Sequence, residues 1–140
     1  VINLDKNEHQ MNLDRLDHLV LTVRDLEATC DFYTTVLGMT IVTFGDNRKA
    51  LQVGQQKINL HQAGQEFEPK AAAPTPGSVD VCFMTSTPLE HVIIHLQTQG
   101  VAIEEGIVPR TGTLGAMRSI YIHDPDGNLI ELSNSIDCCA

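Results

Sequence analysis

The chain repeats itself at two offsets. His18, Gly38 and Ile41 align with Asp80, Gly100 and Ile103, 62 positions later. Ile58-Asn59-Leu60-His61 aligns with Ile130-Glu131-Leu132-Ser133, 72 positions later. A longer loop in the second half absorbs the difference. Each half reads as strand, helix, strand, strand, strand. One such unit covers only one face of its sheet with a helix. Two units can wrap their sheets around a shared concavity.

The local patterns support the repeat. Residues 17–23 alternate, with Leu19, Leu21 and Val23 on one face and His18, Val20 and Thr22 on the other. Asp25 suits an N-cap, and Leu26, Cys30, Tyr33 and Leu37 form a helical stripe closed by Gly38. Strands follow at 39–44, 49–53 and 57–61, broken by Gly45-Asp46-Asn47 and Gly54-Gln55-Gln56. The segment 63–78 is rich in Gly, Pro and Ala and reads as a connector. The second unit opens with a strand over 79–84. Thr87-Pro88-Leu89-Glu90 then reads as a capping box with proline at the first helical position. Its helix carries Leu89, Val92, Ile93 and Leu96 and ends at Gly100. A strand is expected over 101–105, then a loop over 107–117, then two strands around the turn Asp124-Pro125-Asp126-Gly127-Asn128. This divides the chain into an arm over 1–15, modules over 16–62 and 79–134, and a tail over 135–140.

The phases single out candidate site residues. On the first strand of each unit the more apolar face should meet the helix. The other face then points into the concavity and carries His18 and Asp80. The last strands direct Asn59 with His61, and Glu131 with Ser133, the same way. His18, Asn59, Asp80 and Glu131 thus occupy equivalent inward positions. A carboxylate between Ile130 and Leu132 needs compensation, and a bound cation or a histidine partner supplies it. If His18, His61 and Glu131 act together, two imidazoles and a carboxylate suit Fe(II). If Asp80 and Asn59 join instead, the set is harder and suits Mn²⁺, Mg²⁺ or Ni²⁺. Asp80 serves as a ligand or as the partner of a protonated histidine. Arg110 and Arg118 bracket a glycine-bearing loop and could hold a carboxylate or phosphate. Cys82 and Met84 give the hollow an apolar wall. His91 and His95, at helical spacing, face away from the apolar stripe and read as solvated.

With a net charge of −9 the chain is a poor partner for nucleic acid or an anionic membrane surface. A small anionic ligand remains compatible, since local arginines can outweigh the overall field. Four cysteines, two in apolar patterns and two adjacent in the tail at Cys138 and Cys139, do not make a disulfide framework; a reducing, cytoplasmic setting is expected.

The residues His18-Leu-Val-Leu-Thr-Val-Arg-Asp-Leu, Asp31-Phe-Tyr with Val36-Leu-Gly-Met, and Asp124-Pro-Asp-Gly-Asn-Leu-Ile-Glu-Leu resemble the vicinal oxygen chelate superfamily. That group includes glyoxalase I, extradiol dioxygenases and bleomycin-binding proteins. The resemblance runs from about residue 16 to 134. It implies an α+β fold of two βαβββ modules forming a glyoxalase-like open barrel around a shared cleft, usually in a homodimer. It implies a divalent metal (nickel, zinc, manganese or iron) at positions matching His18 and Glu131. The third and fourth positions, usually glutamate or glutamine and histidine, carry Asn59 and Asp80 here, with His61 two residues on. Three functions follow as expectations. The first is a metal-dependent lyase or isomerase of the lactoylglutathione lyase kind, with Glu131 as the catalytic proton carrier. The second is an extradiol-type dioxygenase using His18, His61 and Glu131. The third is a metal-free binding protein. Within the first, His61 is preferred to Asn59 as third ligand, because imidazole is the better donor.

Overall fold

The structure is a computed structural model that describes residues 10–136. Cys138 and Cys139, and residues 1–9 of the expected arm, lie outside the described residues. The first module contains β1 (His18–Val23), α1 (Leu26–Thr35), β2 (Thr40–Phe44), β3 (Arg48–Val53) and β4 (Gln56–Gln62). The second contains β5 (Asp80–Met84), α2 (Leu89–Thr98), β6 (Glu105–Gly112), β7 (Gly115–His123) and β8 (Leu129–Ser135). Each module forms one four-stranded sheet, ordered β1-β4-β3-β2 and β5-β8-β7-β6. The fold is therefore α+β with two βαβββ modules, and neither sheet closes into a barrel.

The repeat is literal in the hydrogen-bond register. In the first sheet β1 runs parallel to β4 with Val20 opposite Asn59. In the second β5 runs parallel to β8 with Cys82 opposite Glu131. Both pairs obey the two offsets seen in the sequence. In each module the helix carries the chain from the first strand at one edge to the second strand at the other, and the antiparallel meander that follows brings the last strand back parallel beside the first.

One apolar core serves both modules. Leu21, Val23, Leu51, Ile58 and Leu60 from the first sheet join Ile120, Ile122, Ile130 and Leu132 from the second, with Tyr33, Leu89 and Leu96 from the helices. The shared core explains why the alternating strands face as they do: their apolar sides turn toward it. Strand alternation then turns the polar side of each sheet away from it. The second helix also reaches the first module, where His95 Nε2 lies 2.8 Å from the Val36 carbonyl oxygen.

The turn after β7 locks the modules together. Asp124 Oδ1 accepts the amides of Asp126 and Asn128, and its Oδ2 accepts the Asn128 amide group and the Tyr33 hydroxyl. Asp126 receives the backbone amide and the guanidinium of Arg24. The Asp-Pro-Asp-Gly-Asn motif is thus a fastening between halves as well as a turn. Gly77 in the connector passes so close that a Cβ there would lie 2.5 Å from the Asp126 carbonyl oxygen.

Two expectations about the second module need correction. The strand expected over 101–105 and the loop expected over 107–117 are replaced by the hairpin β6–β7, turning at Thr113-Leu114. Pro109 and the glycines mask the strand pattern; they are tolerated because β6 is the sheet edge. The capping box does not form either. Pro88 sits at the N-cap position without a side-chain hydrogen bond to the helix. The cap comes from β8, where Asn134 Oδ1 accepts the Leu89 amide at 2.9 Å and Nδ2 donates to the Thr85 and Thr87 carbonyls. Glu90, released from capping, holds Arg118.

Candidate functional site

The polar face of the first sheet is cationic. β4 presents Lys57, Asn59 and His61 at alternate positions, opposite His18, Val20 and Thr22 on β1. β3 adds Arg48, Ala50 and Gln52 on the same face, because Ala50 pairs with Asn59 and Gln52 with Lys57. Asn59 is only 6% exposed, and its Oδ1 has no hydrogen-bond partner. His61 is 3% exposed. Its ring meets Phe67 of the connector edge-on at 5.6 Å, and its Nε2 lies 3.4 Å from Arg48 Nη2. Burial, then the Arg48 charge, hold its pKa below the ordinary imidazole value. Neutral His61 can accept from Arg48; a protonated one would repel it. His18 is more open and bonds Asp17 at 2.9 Å.

The polar face of the second sheet is an acidic hollow. Glu131 on β8 lies between Cys82 of β5 and Tyr121 of β7. Its Oε2 accepts the hydroxyls of Ser119 at 2.6 Å and Ser133 at 3.2 Å. The Cys82 thiol also borders this carboxylate. The two serines are fully buried and 2.7 Å apart, so they fix the carboxylate from beneath. Cys82 Sγ contacts Ser133 Oγ at 3.3 Å, and burial raises its thiol pKa. The thiol therefore stays protonated and serves as wall rather than nucleophile. A cavity of about 640 Å³ opens over this face, lined by Cys82, Met84, Glu131 and the β6–β7 hairpin. Asp80 is exposed at the strand's beginning.

The expected residues thus fall into two groups. His18, Asn59 and His61 share one sheet; Asp80, Cys82 and Glu131 share the other. No hydrogen bond or ion pair joins the groups among the described residues. Nor do three or more His, Cys, Asp or Glu side chains among them sit close enough to hold one ion.

The two arginines expected to meet substrate are strands' residues, not loop residues. Arg118 on β7 is engaged by both carboxylate oxygens of Glu90 and by Asn134, and so braces the start of α2. That contact pulls the Glu90 carboxyl down to about 2. Arg110 on β6 donates to the Tyr121 hydroxyl at 2.8 Å and to the Pro109 carbonyl, and pairs with Glu105 at 3.7 Å. Arg110 remains at the rim of the acidic hollow. Sequence reasoning passed over Ser119, Tyr121, Arg48 and Lys57. All four were recoverable from alternation, since Ser119 and Tyr121 share the phase that faces Glu131, and Arg48 and Lys57 the phase that faces Asn59.

A family model described as the Glyoxalase/Bleomycin resistance protein/Dioxygenase superfamily matches residues 15–132. Virulence protein STM3117 of Salmonella typhimurium is 59% identical over 127 residues, covering 91% of this chain and 88% of that protein. Its crystal structure superposes with a TM-score of 0.88, over 90% of this chain and all (100%) of the other. The glyoxalase domain-containing protein RDO1 of Mycosarcoma maydis is 52% identical over 132 residues, 94% of this chain and 74% of that protein. Lactoylglutathione lyase from Agrobacterium tumefaciens, at 21% identity, shares the fold with a TM-score of 0.67, over 89% of this chain and 96% of that one. Among the described residues no helix is long and apolar enough to cross a membrane.

Proposed function

Because the chain belongs to the glyoxalase/bleomycin resistance protein/dioxygenase superfamily, we propose that it is a divalent-metal-dependent lyase or isomerase acting on a small, oxygen-rich substrate. One observation carries this reading: a buried acceptor without a donor lies on the polar face of the first sheet, at the position equivalent to a carboxylate on the second. Asn59 Oδ1 is buried without a donor, and Glu131, at the equivalent position of the second sheet, is held through Oε2 by Ser119 and Ser133. A buried carbonyl oxygen without a partner costs about 1–3 kcal/mol. A hard cation would satisfy this oxygen and could take the Glu131 carboxylate as well. The donors that would hold it are His18, Asn59, Asp80 and Glu131. The surroundings of His61 argue against it as a ligand, since an ion there would face the Arg48 guanidinium. That moves the third position from His61 to Asn59, and it weighs against the iron set of the dioxygenase reading.

Such an ion, when bound, supplies Lewis-acid polarisation of substrate oxygens. The remaining work falls to the chain itself. Ser119 and Ser133 hold Glu131 in one orientation through Oε2, which positions the carboxylate as the group that would carry a proton to and from substrate carbon. Cys82 and Met84 exclude water from one wall.

The donors are complementary between two copies rather than within one. The shared core directs the cationic and acidic faces away from each other. In a two-fold dimer the first sheet of each chain can face the second sheet of the other, producing two equal sites. Val20 on one face and Met84 on the other are 43% and 56% exposed, as surfaces awaiting such cover would be.

The test is metal analysis and sedimentation of protein purified without chelator. One nickel, zinc or manganese ion per chain in a dimer is expected, with both His18→Ala and Glu131→Ala losing it while remaining folded. No ion after reconstitution with several divalent metals would leave a binding protein. Iron together with cleavage of a catechol would establish the dioxygenase.

A further inference from the structure

We infer that Arg48 and Lys57 form a cradle for a carboxylate of the substrate, on the polar face of the first sheet beside Asn59. This rests on the functional reading above and names the substrate class.

In a chain of 9 basic and 18 acidic residues, cations find acids easily. Arg15, Arg24, Lys70, Arg110 and Arg118 each pair with a carboxylate. Lys49 bonds the Thr43 hydroxyl. Among the described residues Arg48 and Lys57 alone of the basic side chains have neither an ion pair nor a hydroxyl acceptor. Both lie on the polar side of the first sheet. Asp17 bonds His18 and acts on Lys57 only at longer range, and Glu66 accepts the Gly64 amide.

Long cationic chains lose substantial rotamer freedom when fixed, so fixing them without an acid partner needs a cause. Here aromatic faces hold them. Lys57 Nζ lies 3.8 Å from the centre of the Phe44 ring, and Arg48 Cζ lies 5.1 Å from the same ring. Phe67, arriving from the connector, closes on Arg48 at 4.5 Å. The two charges are therefore gathered around one ring and half-buried beside the buried Asn59 and His61. A planar fork and an ammonium that share one ring keep their outward N–H donors free, and a carboxylate spanning the ring edge could take one donor on each oxygen. Desolvation by the two phenyl rings strengthens both contacts. A substrate held this way would direct its remaining oxygens along β4 toward Asn59 and His18.

Calorimetric titration of the purified metal-bearing protein with succinate, acetate and inorganic phosphate tests this. Succinate is expected to bind, with its affinity reduced about tenfold or more in Arg48→Gln and in Lys57→Gln, the loss typical of one charge-assisted contact. Arg48→Lys, which keeps the charge and loses the fork, should fall between. Lys49→Gln, on the same strand but the opposite face, should bind as the unaltered protein does. Equal succinate affinity in all variants would overturn the inference, as would tighter binding of phosphate or no binding at all. Loss of the dimer in Arg48→Gln without any anion binding would also overturn it and assign Arg48 to the interface. Metal is counted in the same samples. Metal retained without succinate binding defeats the carboxylate cradle alone, and succinate binding without metal defeats the metal reading alone.

Discussion

The hydroxyl of Tyr33 donates a 2.7 Å hydrogen bond to Asp124 Oδ2, joining the first helix to the final turn. Burial, and then the Asp124 charge, push the phenol far above its ordinary pKa, so it remains a donor at every working pH. Asp124 keeps three other donors when this one is removed. Tyr33→Phe should therefore cost about 1.5 kcal/mol, the low end for a bond to a charged acceptor, read as a lower urea midpoint with an unchanged fold. A cost near zero would mean that the two modules do not depend on this contact.

Gly77→Ala should be more damaging. Its φ of +80° disfavours any side chain, and the added Cβ would meet the Asp126 carbonyl, which also holds Arg24. A loss of about 2 kcal/mol or more is expected, combining left-handed strain with a backbone clash. Thermal unfolding of the variant checks it, and a native-like midpoint would show that the connector moves aside freely.

The Arg118–Glu90 contact sets part of the acid limb of stability. Glu90 has a folded pKa near 2 against an ordinary 4.5. A depressed carboxyl stabilises the fold above the ordinary value, and that contribution is lost as pH falls from 4.5 toward 2. Arg118→Met should flatten the stability profile within this window, and added salt should do so partly in the unaltered protein. An unchanged profile in Arg118→Met would assign the acid limb to other groups.

His61 should titrate below the ordinary 6.5, because burial and Arg48 both oppose its charge. Its contribution to stability is then full above 6.5 and declines as pH falls through that value toward the folded pKa. Nitrogen-resolved NMR titration reads this directly. Arg48→Gln should raise the His61 pKa partway, leaving the part due to burial. A His61 that titrates normally beside Arg48 would reopen it as a metal ligand.

The choice between Asn59 and His61 is decided by metal stoichiometry. Asn59→Ala is expected to weaken metal retention strongly, and His61→Ala to leave it near one ion per chain. The reverse outcome would restore the pair of imidazoles and favour iron chemistry.

Much of the architecture was legible in the residues alone. Alternation at 18–23 and 129–133, the stripe of Leu26, Cys30, Tyr33 and Leu37, and the two offsets predicted two βαβββ units and the face of every candidate donor. These features are local or repeat in register, so a single sequence exposes them. β6 escaped because an edge strand tolerates Pro109 and glycine, which read as loop. The start of α2 escaped because its cap is Asn134, 45 residues away, and capping chemistry is legible only when the partner is adjacent. Arg118 went to Glu90 for the same reason: a charge chooses its partner in space.

The sequence by itself determined the two units, their phases and the chemical character of their polar faces. Only the tertiary structure decided that one core lies between the units, so that His18, Asn59 and His61 turn away from Asp80 and Glu131. Periodicity specifies which side of a strand is apolar. It carries no information on which other apolar surface that side will meet, and burial of both helices against one common interior settled that question.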